Sequence, residues 1–214
     1  PPTRWQLYLC MAMVAGALLG WEVLLTRLAS LRYHFHFGHL AVSNGLLGIG
    51  AAASWLGLNR KHWQPNVDSR LSYSIVAFGV SLFASSLALY GLPVHRGSMN
   101  LTGVLSLATF AIAGLLPFIT GGVSLGLLLS GWPKQTARLY GVDLLAAGSA
   151  CLLVPWLLPS VGMAGALAVI TCAVCSAIIA VRPGWWKASS TAALMALVIG
   201  LVAPLAPSKI DRPV

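Results

Sequence analysis

The chain reads as an all-α, polytopic integral membrane helix bundle, and three observations carry that reading. Of its 214 residues 58% are hydrophobic and only 8% are charged, against about 25% charged in a typical soluble domain. The mean hydropathy is +0.85. Apolar runs long enough to cross a hydrocarbon core of about 30 Å recur along almost the whole length, so residues 1–214 are expected to form a single transmembrane domain.

About seven spans are expected, near residues 6–29, 37–58, 71–92, 101–130, 138–158, 162–181 and 188–206. The first run contains Glu22 and lacks a small-residue cleavage site, so it reads as a retained helix rather than a signal peptide. The second follows an aromatic and His-rich stretch, and the third is bounded by basic and Pro/Gly-containing loops. The fourth is longer than one upright helix requires. Pro117, Gly121 and Gly122 fall inside it, and proline removes a backbone donor, so a break near Pro117 is expected. Gly16 with Gly20, Gly45 with Gly48 and Gly50, and Gly122 with Gly126 provide the small-residue spacing that lets helix backbones approach in lipid.

Thirteen basic side chains stand against four acidic ones. They fall in short clusters between apolar runs, the pattern of loops beside anionic lipid, so the lipid bilayer is the expected partner and nucleic acid is not. In a seven-span arrangement Arg4, Arg60, Lys61, Arg70, Lys134, Arg138, Arg182 and Lys187 share the N-terminal side, while Arg27, Arg32, Arg96, Lys209 and Arg212 occupy the other. That bias predicts a cytoplasmic N-terminus. Trp5, Trp63, Trp132, Trp185 and Trp186 fall on the same side, as an interfacial aromatic belt does.

A few polar residues are candidates for chemistry. Glu22 lies within an apolar run, where a carboxylate is costly unless it meets protein, water or a cation. Arg27 is about 140° round the helix from it and makes a poor partner. Asp143, after Arg138 and Tyr140, sits near a helix start, where the helix dipole favours an acid. Either carboxylate is a structural contact or part of a solute path. His34, His36, His39 and His95 would share one face and form a candidate metal or haem site, with interfacial anchoring as the plainer alternative. Cys10, Cys151, Cys172 and Cys175 all lie in apolar segments and read as small hydrophobes. No phosphate-binding loop, dinucleotide turn or nucleophile elbow is present, so neither a catalytic residue nor a cofactor is expected.

Four stretches in order carry a resemblance: "WEVLLTRLASL" at 21–31, "FHFGHLAVSNGLLGIGA" at 35–51, "LPFITGGVSLGLLLS" at 116–130 and "RLYGVDLLAAGSACLLVPWLLPSVG" at 138–162. Together they resemble the membrane domain of bacterial polytopic spermidine-synthase-like proteins. Glu22 and Arg27 match its acidic, Leu-rich and Arg pattern, Phe35, His36 and Phe37 its aromatic-His-Phe start of the second helix, Pro117 and Phe118 its Pro-Phe break, and Arg138, Tyr140 and Asp143 its Arg-Leu-Tyr…Asp run. Ala146 and Ala150 stand where glycines are usual, and His39 where an aromatic is usual.

The resemblance implies the bacterial inner membrane and a soluble aminopropyltransferase-like domain after the last helix. Only "PSKIDRPV" follows the seventh expected span, so no aminopropyl or methyl transfer is assigned to this chain, which reads as a membrane-only relative or a fragment. The expected function is a non-enzymatic membrane domain or accessory subunit, partnered with other membrane subunits or a separate soluble domain. The alternatives are a small-molecule or polyamine transporter or channel using Glu22 and Asp143, and a haem or metal redox subunit using the histidines.

Overall fold

A computed structural model of the chain describes residues 3–32, 38–91 and 101–181. Regular structure among them is entirely helical: α1 (Arg4–Arg32), α2 (Gly38–Leu58), the short α3 (Arg60–Trp63), α4 (Val67–Gly91), α5 (Leu101–Gly131) and α6 (Thr136–Val181), with 3-10 turns at Gln64–Asn66 and Pro133–Gln135. Five of these stretches are long and apolar enough to cross a membrane. The expected count of about seven is therefore corrected for the described residues. The seventh expected span, 188–206, lies outside them.

Local sequence explains how the helices begin and run. Thr3 and Gln6 cap α1 reciprocally, the Thr3 amide donating to Gln6 Oε1 at 2.7 Å and the Gln6 amide to Thr3 Oγ1 at 3.4 Å, which satisfies two donors that a helix start leaves open. Between α2 and α4 the chain is pinned by Trp63, which is buried and donates from Nε1 to the Leu56 carbonyl at 2.7 Å. Between α5 and α6, Thr136 Oγ1 donates to the Leu129 carbonyl at 2.9 Å.

The expected break in the fourth span is absent: α5 runs through Pro117 as one helix of 31 residues, about 46 Å long at 1.5 Å per residue. Neighbouring helices grip the turns before Pro117. Trp21 Nε1 donates to the Gly114 carbonyl at 3.2 Å and Asn44 Nδ2 to the Ala111 carbonyl at 3.0 Å, both in the stretch just before the proline. Thr120 Oγ1 donates back to the Leu116 carbonyl at 3.0 Å. The carbonyl that loses its helical donor at Pro117 is that of Ala113, four residues back, so these bonds brace the turns on either side of the proline instead of replacing the missing one. Gly121 and Gly122 are contact points, not a break: a Cβ on Gly121 would meet Leu18 at 2.7 Å, and one on Gly122 would meet Ala52 at 3.0 Å.

The fifth and sixth expected spans belong to one element of 46 residues, α6, interrupted at Gly162 with φ +67 and ψ −178. That conformation is open to glycine and strained for other residues. A Cβ on Gly20 would lie 3.0 Å from Ile170 Cδ1 and 3.4 Å from Val154 Cγ2. In a straight helix residues 154 and 170 would stand about 24 Å apart, so α6 doubles back at Gly162 and both arms reach the same point on α1.

The contacts fix helix directions. Gly38 faces Thr26 and Gly45 faces Glu22, so α2 runs antiparallel to α1; Gly114 faces Leu25 and Gly121 faces Leu18, so α5 does too. Ser81 meets Thr120 and Ser124 meets Ser74, which sets α4 antiparallel to α5. The starts of α1, α4 and α6 therefore share one end of the bundle with the ends of α2 and α5. Helix α1 lies at the centre, burying Leu7, Met11, Val14, Leu18, Trp21 and Leu25 between the two arms of α6 on one side and α2 and α5 on the other.

Candidate functional site

Glu22 projects from the middle of the central helix toward α2. Its Oε2 lies 3.4 Å from the position a Cβ would take on Gly45, and Phe118 Cε1 lies 3.5 Å from that same position. The missing side chain of Gly45 is what makes room for a carboxylate and an aromatic ring against one helix backbone. Phe118 is fully buried, and Glu22 is half-buried. Trp21, Asn44 and the carbonyls of Ala111 and Gly114 lie on the adjoining turns, so α1, α2 and α5 meet at a polar junction inside otherwise apolar helices.

No ion pair joins Glu22 to a cation among the described residues, and its backbone carbonyl accepts from Thr26 Oγ1 at 2.8 Å. Arg27 is exposed, so the expectation that it does not pair with Glu22 agrees with its position. Asp143 lies elsewhere. The carbonyl of Ala146, one turn beyond it, sits beside Gly16, more than a helical turn along α1 from Glu22. The two carboxylates are thus not brought together. Arg138 and Tyr140 are exposed near the start of α6, and no ion pair between Arg138 and Asp143 is present.

A second polar group joins α4 to α5. Ser81 and Thr120 share a hydrogen bond of 2.7 Å, and Ser124 donates to Ser74 at 3.0 Å, both Ser74 and Ser124 being buried. Ser85, further along the same face of α4, buries an oxygen with no hydrogen-bond partner among the described residues. Reading the sequence for ionisable residues passed over Trp21, Asn44 and this hydroxyl series. The signal was present as Ser74, Ser81 and Ser85 at intervals of seven and four and Thr120 and Ser124 at an interval of four, all one-face helical spacings.

Of the histidines proposed for a metal, His34, His36 and His95 lie outside the described residues, and His39 is exposed at the start of α2. No group of three metal-ligating side chains occurs among the described residues. Cys172 and Cys175 lie one turn apart on the second arm of α6, Cys175 buried, and the four cysteines form no disulfide. A small cavity between α1, α4 and α6, bounded by Trp21, Leu25, Leu28, Leu89, Met163 and Leu167, has room for about one water-sized guest and an apolar lining. Comparison of the chain with protein-family models, with curated proteins and with solved structures finds no match.

Proposed function

We propose that the chain is a non-enzymatic integral membrane domain or accessory subunit that anchors a larger assembly in the bacterial inner membrane, with its N-terminus cytoplasmic, akin to the membrane part of spermidine-synthase-like proteins. One observation carries the reading. The polar side chains of the interior join helices: Trp21 and Asn44 hold α5 from α1 and α2, and Ser74, Ser81, Thr120 and Ser124 join α4 to α5. Polar groups used in this way stiffen a bundle rather than line a path for solute. Purification from native membranes in mild detergent is expected to give the chain with a partner at fixed stoichiometry. A lone chain that carries solute flux in proteoliposomes overturns the reading.

A second reading has its own observation. Glu22 stands within an apolar helix without a cation partner among the described residues, as carboxylates on transport paths do. In that reading flux falls in Glu22→Gln, and Asp143→Asn, at a different depth, has a separate effect.

A further inference from the structure

The helix directions gather six of the described cations at one end of the bundle. Arg4 opens α1, Arg60 and Lys61 follow α2, Arg70 lies in the first turn of α4, and Lys134 and Arg138 flank the start of α6. All six are exposed, as is Asp68, the one acidic residue among them. No ion pair among the described residues neutralises any of them. We propose that this end is a binding surface for anionic phospholipid headgroups, whose phosphates sit between the connection at residues 59–70 and the connection at residues 131–138.

Two features make it a built surface instead of a scatter of charges. The connections are fixed and adjacent: Trp63 is buried and bonded to the Leu56 carbonyl, Asn59 Nδ2 donates to the Trp55 carbonyl at 3.0 Å, and the close approach of Gly131 to Val67 sets the end of α5 on the start of α4. Each of the four arginines also has an exposed aromatic close by in sequence. Trp5 follows Arg4, Trp55 precedes Arg60 by five residues, Tyr73 follows Arg70 and Tyr140 follows Arg138. Trp5 is 82% exposed and is held edge-on to Tyr8, with ring centroids 6.2 Å apart. Aromatic rings of this kind settle at headgroup depth, which puts the neighbouring guanidinium groups level with phosphate. Arg27, toward the other end of α1, has no such companions in the described structure.

The proposal rests on the reading that the helices lie in a bilayer, and its test separates the two. The detergent-purified chain is mixed with phosphatidylglycerol or phosphatidylcholine, and retained lipid is counted by native mass spectrometry. Preferential retention of phosphatidylglycerol is expected, weakened by 0.5 M salt and unaffected by competing inorganic phosphate at millimolar concentration. A variant carrying Arg60→Gln, Lys61→Gln, Lys134→Gln and Arg138→Gln should lose the preference by about tenfold or more, while Arg27→Gln keeps it. Should the fourfold variant unfold, the separate Arg60→Gln and Lys134→Gln chains must each show a partial loss. Equal retention of the two lipids, or a preference that survives the fourfold change, overturns the proposal and leaves an acidic protein as the partner of this end. Loss of membrane integration in carbonate extraction would instead overturn the bilayer reading.

Discussion

Helix α5 is held on two sides by different chemistry. Toward α2 the contact is made by absent side chains: Gly48 lies against Phe118, Gly122 against Ala52 and Ile49, and Gly126 against Leu56. Toward α4 it is made by hydroxyls, Ser74 with Ser124 and Ser81 with Thr120. In an apolar surround hydrophobicity gives helices no reason to associate, and backbone proximity and hydrogen bonding are the two substitutes. The first depends on the exact fit of backbones and fails when one carbon is added. The second is a series of weak bonds, any one of which can be lost.

Four substitutions set the two sides against each other. Phe118→Ala empties the fully buried ring that fills the space left by Gly45 and Gly48, and is expected to cost about 3–5 kcal/mol, read as reversible unfolding in mixed micelles. Gly48→Ala drives a methyl into Phe118 and within 3.1 Å of the α5 backbone. Because backbone cannot swing aside, about 1–3 kcal/mol should be lost, and a loss no larger than that of Gly50→Ala would remove the glycine side of the comparison. Ser124→Ala deletes one inter-helix hydrogen bond and should cost about 0.6 kcal/mol, the average for such bonds in a membrane protein; a loss above about 2 kcal/mol would mean that the hydroxyls act as one network. Gly50→Ala meets nothing within 4 Å, so the change should stay within about 0.5 kcal/mol in the same assay.

How much of this was legible in the sequence divides along physical lines. Apolar length and charge scarcity made the helical, membrane-compatible class readable, and glycine spacing pointed to Gly20, Gly45, Gly48, Gly122 and Gly126 as contacts. Gly50 was counted with them and points into open space, because spacing alone does not tell which side of a helix has a neighbour. The continuity of α5 was not legible. Pro117, Gly121 and Gly122 signal a break when only the local chain is considered, whereas the turns before the proline are bonded by Trp21 and Asn44, which are remote in sequence. The interruption at Gly162, by contrast, falls at the boundary expected between the spans 138–158 and 162–181, although the dihedral angle that turns the chain back there is not written in the sequence. For the candidate site, Glu22 stood out by charge, while its neighbours Gly45, Asn44 and Phe118 came together only through the packing of three helices.

The doubling of α6 back onto α1 also has a temporal side. Helix α1 has its most extensive contacts with α6, the last described helix, and Gly20 waits for Val154 and then Ile170, more than 130 residues later in synthesis. At about 5–20 residues per second, that interval is on the order of 10 s. During it the Gly16 and Gly20 side of α1 faces lipid or a chaperone instead of its final neighbours. The described bundle is therefore closed by its latest-made described helix, and a ribosome stalled before Thr136 would leave the central helix uncovered along the side that α6 later occupies.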